Sequence, residues 1–456
     1  MDVLWSPIGK SQDPLNLGYI AYDLDLMPDF GYPNTLGGNN NPEQQWNKST
    51  PAHNTVSFDK LGYNGHVIGF GTPTHFLNTE QVKMVQVEVP NVSNSGISYA
   101  EIYNRTSGLI KIDEESSYII DFFRVKSDHD YTYNFHTAEV SEPHTRYQGL
   151  SFSATSSITY HANTLRNVRQ AEATGEQFSI DWNILDTWNR YGKGAREKTD
   201  VHLQITMLGN YKFVTLGEAV PPTNVSQNPQ YLPILQVSGT GLTTFISLIE
   251  AYKTTGKIKH VEEVEITEGT GKADKQKIKA VKVELFNGRR DYIISAMDTH
   301  TTYKIDNKFQ FSGAWGVYSL FSDGRVQCII HDGTVIGPLK ARKSVEGVVT
   351  GSSTSLEENS YIDIKVDEPV ASAESMTGEY IYIQNDDILE TKELRKYNAV
   401  YKIKSVQPTG GRNYRLYLSD SIIRGWNDIH DYGKGFLIDF NRGAQCRIPL
   451  YSHKTF

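Results

Sequence analysis

Helical periodicity is what these 456 residues lack most plainly. No stretch sustains apolar residues at spacings of three and four, which sets helix bundles and most α/β folds aside. Cysteine is almost missing: Cys328 and Cys446 are the only two. Two thiols so far apart make neither a disulfide framework nor a metal-type spacing, and they read as buried thiols, with a single disulfide as the alternative. No apolar run approaches the roughly 18 residues that a spanning helix needs, so no membrane span is expected. The opening Met1-Asp2-Val3-Leu4-Trp5-Ser6-Pro7 has neither a basic n-region nor an apolar h-region, and no signal peptide is read there. Positive charge is short as well. With 45 basic against 53 acidic residues the net charge is −8, which argues against a nucleic-acid partner. A local basic groove for a polyanionic sugar stays compatible with that balance.

What is present is strand-like. Val85-Gln86-Val87-Glu88-Val89, Lys279 to Leu285, Val400 to Lys404 and Tyr414 to Leu418 alternate apolar and polar residues, which puts one face of each on a core. Asn64-Gly65, Asn287-Gly288, Asp323-Gly324 and Asp332-Gly333 are pairs that tolerate φ > 0 and so favour type I′ hairpins. Residues 180–191 are the best helix candidate, and they fit a strand equally well. Glu262 to Lys279, charged and holding Gly269-Thr270-Gly271, predicts a protruding hairpin. Asn34 to Ser49 reads as a long loop. Residues 337–355 (Pro338, a basic cluster, then Gly351-Ser352-Ser353) mark a boundary. The expectation is an all-β protein: a large two-sheet β-sandwich over 1–340, then a smaller β domain over 345–456.

Four segments carry a resemblance. Pro28-Asp29-Phe30-Gly31-Tyr32-Pro33 is a turn bearing a carboxylate, and Ala52-His53-Asn54-Thr55-Val56 is a strand bearing an imidazole. Asp13-Pro14-Leu15-Asn16-Leu17 precedes them, and Tyr118 to His136 follows. Together these words resemble the β-sandwich half of the heparinase II/III-type polysaccharide lyases. The resemblance implies a supersandwich fold, an acidic polysaccharide as partner, β-elimination beside a uronate carboxylate, and a periplasmic or secreted whole protein. It also implies that Asp29 and His53 contribute to one site for a structural zinc or other divalent cation. Read without it, Asp29 is equally a turn-capping residue and His53 a hydrogen-bonded core histidine.

The sequence departs from that family at a catalytic point. Where the family carries Gly-His-Gly-His, with a catalytic and a metal-binding histidine, this chain reads Gly9-Lys10-Ser11-Gln12-Asp13. Ser11 and Gln12 are poor zinc ligands, which leaves water or His66 as substitutes. The Tyr and Asn that the family uses for proton transfer come from an N-terminal helical toroid, which these residues do not encode. The expectation is therefore a polypeptide that does not catalyse β-elimination by itself. A non-catalytic carbohydrate-binding or structural sandwich is the competing class. Candidate groove residues for an acidic glycan are Arg105, Arg124 and His136, with Arg166 as a further contributor. His129, His136 and His144 lie among Asp128, Asp130 and Arg146 either as a polar cluster or as a solvated loop. Trp182, Trp188 and Tyr191 are either core side chains or a sugar-stacking surface.

Overall fold

A computed structural model describes residues 2–4, 13–28, 46–47, 49–58, 71–89, 92–94, 97–154, 165–172, 175, 177–185, 200–221, 229, 231–354, 359–385, 397–426 and 436–456. The fold is all-β with sandwich-like sheets, about 65% strand against 3% helix. Contacts group the chain into two compact units, Met1–Gly71 with Asn78–Ile258, and Thr72–Leu77 with Lys259–Phe456. The expected change of domain at 340–345 falls inside the second unit, where an open sheet gives way to a closed barrel.

Two unusually long strands organise the first unit, Ser117–His136 and Leu232–Lys253, paired antiparallel along nearly their whole length. A register break between Ser127 and Tyr131 divides the pair into halves. On one half they are flanked by Ile102–Lys111 and Val201–Leu208, and the sheet continues through Gln177–Ile184 to Val140–Gln148. On the other half the flanks are Val56–Phe58 and Phe213–Ala219, the latter carrying Leu165–Glu172. Aromatic and branched side chains from both halves fill one core, among them Phe123, Tyr133, Phe135, Trp182, Ile205 and Phe245. Trp182 stacks on Phe135 at 5.9 Å, so the aromatic-rich 180s begin as a core strand. Trp188 and Tyr191 lie outside the described residues.

In the second unit, Ile278–Leu285, Arg290–Ala296, Phe309–Leu320 and Val326–Ile336 form an antiparallel sheet. Its hairpins turn at Gly288 (φ 86°) and Gly324 (φ 88°), where Asn-Gly and Asp-Gly were expected to place them. Asp332-Gly333 behaves differently. It lies inside the Val326–Ile336 strand, with Asp332 at φ 53° beside a register break against Ser312 and Gly313. A Cβ at Gly333 would sit 2.4 Å from the Ser312 carbonyl oxygen, so close backbone approach is what requires glycine there. The charged 262–279 stretch does form a small hairpin, Ile266–Glu268 against Gly271–Lys272. From Val345 onward six strands close into a barrel, Val345–Ser352, Tyr361–Val366, Asn413–Leu418, Tyr397–Gly410, Tyr380–Asn385 and Gln445–Ile448. The barrel has its own core, including Ile362, Ile383, Tyr401 and Leu416. The last strand, Tyr451–Thr455, returns to pair with Val326–Ile336.

Candidate functional site

Asn54 stands where three of the four family-like segments meet in the first unit. Its backbone N–H donates to Asn16 Oδ1 (2.8 Å), and its Nδ2 donates to the Leu17 carbonyl (3.0 Å). Its Oδ1 accepts the His136 backbone N–H at 2.5 Å, and its carbonyl accepts Arg105 Nη1 at 2.6 Å. Thr55 Oγ1 donates to the Pro14 carbonyl (2.6 Å), and His136 Nε2 donates to the Pro51 carbonyl (3.1 Å). Segments up to 120 residues apart are thus laced together by an amide side chain that bonds backbone on both of its ends. A short 3-10 turn at Thr50–Ala52, opened by Pro51, delivers His53 to this junction.

His53 is 2% exposed, and its Nε2 donates to the Asn47 carbonyl at 3.1 Å. Because a carbonyl only accepts, that bond fixes a proton on Nε2. Nδ1 then lies 3.8 Å from Asp13 Oδ2, a carboxylate that is itself nearly buried. Asp29 lies outside the described residues. Two donors fall short of the four that a structural zinc takes, and among the described residues no third His, Cys, Asp or Glu joins such a group. The pocket is nonetheless polar beyond its internal needs. Asp13 Oδ1 and both polar side-chain atoms of Asn47 are buried and make no hydrogen bond among the described residues. Buried polar atoms in folded proteins normally find a partner.

The arginines take unequal places. Arg105 is 1% exposed and clamps Asp121 with two parallel bonds, Nε to Oδ1 at 2.9 Å and Nη2 to Oδ2 at 3.0 Å. Its Nη1 also bonds the Leu15 and Asn54 carbonyls. Burial presses its pKa down, but the charge and bonds of Asp121 more than offset that and hold it raised. Arg124, also 1% exposed, lies 5.7 Å over the Phe122 ring, and burial pushes it down to about 10. In this conformation neither guanidinium faces solvent. His136 is fully buried, its ring edge-on to Trp46 with centroids 6.5 Å apart. His129 sits in the register break against Tyr99, apart from the buried strand end that holds His136. The His144 side chain lies outside the described residues.

Arg166 is the exposed one. It lines a groove of about 800 Å³ together with Asn167, Arg169, Thr145, Glu218 and Tyr231. Sequence reading missed Arg169 and Tyr231. Nothing in their spacing announces the groove without knowledge of the strand pairing.

A second polar cluster belongs to the second unit. Asp332 accepts from His75 Nε2 at 2.9 Å, from Arg447 Nη2 at 2.6 Å and from the Ser344 hydroxyl. Burial would raise its pKa, but these bonds and the neighbouring charges outweigh burial and hold the carboxyl well below the usual range. His331 packs edge-on to His75, with centroids 5.6 Å apart, and burial pushes it down to about 3. Neither of its ring nitrogens is hydrogen-bonded among the described residues.

No family model and no curated protein matches the chain. Among solved structures it is similar to the heparan sulfate lyase HepC from Pedobacter heparinus, with 12% identity over 64% of this chain and a TM-score of 0.41. It is also similar to a heparinase III, with 12% identity over 63% of this chain and a TM-score of 0.34. The chain spans 37% of the first protein's length and 36% of the second's. Likeness at this level carries no functional argument.

Proposed function

We propose that this chain is the C-terminal part of a heparinase II/III-like polysaccharide lyase of the uronic-acid-cleaving class, and that it does not catalyse β-elimination alone. The observation that carries the reading is the meeting of the 13–17, 52–56 and 118–136 segments on Asn54. Segments that resemble one family only as words have no reason to converge unless they build the same local structure. The unbonded buried atoms of Asp13 and Asn47 fit a junction completed from outside these residues, by a cation, by water or by another polypeptide segment. A divalent cation held by His53 and Asp29 is part of this proposal.

β-Elimination beside a carboxylate needs a base, an acid for the leaving oxygen and charge neutralisation acting together. His53 and His136 each spend Nε2–H on a backbone carbonyl and are buried, so neither offers Nε2 as a proton acceptor. The base and acid would come from a toroid outside these 456 residues. That burial also favours a second reading, a sandwich that holds acidic glycan without chemistry.

The test is to incubate the pure protein with heparan sulfate, alginate and hyaluronan and to follow the unsaturated uronate by ultraviolet absorbance. The expected result is no product, with binding that weakens as salt screens the charges. Product formation abolished by His53→Ala or His136→Ala would overturn the inactive-alone reading. Failure to bind any of the three polymers would overturn the glycan reading.

A further inference from the structure

A bulge in Leu165–Glu172 builds a face that the sequence does not advertise. Arg166 stands opposite Glu218 and Arg169 opposite Leu216, so Asn167 and Val168 together face Gly217 alone. In an unbroken strand a spacing of three sends two side chains to opposite faces. The extra residue cancels that, and Arg166 and Arg169 come to the same side. Asn167 adopts φ 51°, a left-handed conformation that asparagine tolerates better than most residues. Both arginines accordingly line the one groove of about 800 Å³.

Their surroundings fit a particular ligand. Arg166 lies with Cζ 3.1 Å from the Tyr231 ring centroid and gives its Nε to Glu218, which also accepts Asn167 Nδ2 at 3.0 Å. Arg169 lies 5.6 Å from Phe152 and 6.0 Å from Tyr147, and among the described residues no carboxylate pairs with it. A guanidinium laid over a ring keeps its in-plane N–H fork for a carboxylate or sulfate. Tyr147, 41% exposed, stands beside Arg169 next to the lining residues of the groove, edge-on to Phe152, and offers exposed aromatic surface to a sugar ring. Glu139 and Glu218 also line the groove and balance the two cations. A dense polyphosphate gains little from a site so nearly neutral. A chain of hydroxylated rings with scattered single charges gains bidentate bonds, stacking and hydroxyl contacts together.

We propose that this groove is a binding site for an acidic oligosaccharide, with Arg169 as its main anion receptor, Arg166 as the second, and Tyr147 as the platform for a pyranose ring. The proposal rests on the acidic-glycan reading above and names where on this chain the glycan sits. It is tested by calorimetric titration of the full chain with hexasaccharides of heparan sulfate, guluronate and hyaluronan, and with neutral cellohexaose. The wild-type chain is expected to bind at least one acidic hexasaccharide and to bind cellohexaose far more weakly. Arg169→Ala should weaken that binding about ten- to a hundredfold, the loss of one charged hydrogen-bond pair. Arg169→Lys should recover only part of it, since an ammonium lacks the planar fork. Tyr147→Ser, at an exposed position, should weaken binding while keeping both cations, with Arg169 still held by Phe152 after losing its contact with the Tyr147 ring. Circular dichroism confirms that each variant is folded. Wild-type binding left unchanged by both Arg166→Ala/Arg169→Ala and Tyr147→Ser would overturn the groove assignment while leaving the glycan reading intact. Absence of wild-type binding to all three acidic hexasaccharides would overturn both.

Discussion

Replacing Arg105 by methionine separates a binding role from a framework role. On the sequence Arg105 was a candidate for a sugar-facing groove; in the fold its guanidinium is buried and holds Asp121, Leu15 and Asn54. Loss of one member of a buried, hydrogen-bonded ion pair costs about 3–5 kcal/mol, chiefly because the remaining charge is stranded. Here Asp121, 0% exposed, would keep the Ser107 hydroxyl as its one side-chain donor among the described residues, while two carbonyls would lose a donor. Arg105→Met should therefore destabilise the first unit by about 3–5 kcal/mol or slightly more, a large share of the roughly 5–15 kcal/mol typical of a domain. Asp121→Leu should cost a similar amount, since it strands the buried Arg105 charge. The double variant Arg105→Met/Asp121→Leu should fall about 2–3 kcal/mol short of the sum, because neither charge is then left alone. The assay is a urea titration followed by tryptophan emission, with Trp46 and Trp182 reporting from this unit. The two compact units are fitted as separate transitions, since they need not unfold together. A loss below about 1 kcal/mol for Arg105→Met, or plain additivity in the double variant, would refute the clamp. If stability were unchanged and glycan affinity fell instead, the groove role would be restored.

Two further predictions concern the second unit. His331, pushed down to about 3 from an ordinary value of 6.5, stays neutral in the fold while the unfolded chain takes up a proton below 6.5. Its contribution to stability is full above pH 6.5 and is lost as pH falls toward 3. Glu379, pushed up to about 7 by burial, slopes the other way: its contribution is present below about 4.5 and is lost as pH rises through 7. Melting temperatures measured between pH 4 and 7.5 should thus lose acid sensitivity in His331→Leu and lose the neutral-side decline in Glu379→Gln. Unaltered pH profiles would contradict both assignments. The free thiols Cys328 and Cys446 are buried and pushed up to about 12. Neither should react with a thiol reagent at pH 8 until the protein is unfolded, and rapid native labelling would contradict that burial.

The strands were the most legible part of the fold. Each stretch of period-two alternation falls on an observed strand, with Val89 alone one residue past a strand end, because one-sided burial writes itself into alternate positions. Asn287-Gly288 and Asp323-Gly324 turned as expected, but Asp332-Gly333 did not. The pair signals tolerance of φ > 0, and a left-handed residue inside a bulged strand uses the same tolerance. Barrel closure after Val345 left no local mark, since closure is a property of pairing order. The junction around Asn54 was legible as words but not as geometry. The burial of Arg105 was hidden for a specific reason. Ile102–Lys111 is buried on both faces through most of its length, so a polar residue in its alternation does not mean an outward one. Ser107 faces Asp121 directly and Arg105 reaches it on the diagonal, a relation that only the register reveals.

The long central pair constrains when the first unit takes shape. Ser117–His136 finds its partner in Leu232–Lys253, more than a hundred residues later. At synthesis rates of about 5–20 residues per second, the earlier strand waits several seconds for its partner to be made. Until then Ile102–Lys111 can cover only one edge of its first half, and the edge meant for Leu232–Lys253 offers backbone donors and acceptors to whatever is near. Pairings of such sequence separation also close slowly once both halves exist. The nascent chain is accordingly most exposed to mispairing between the emergence of His136 and that of Lys253, an interval in which a holdase chaperone would be of most use to it.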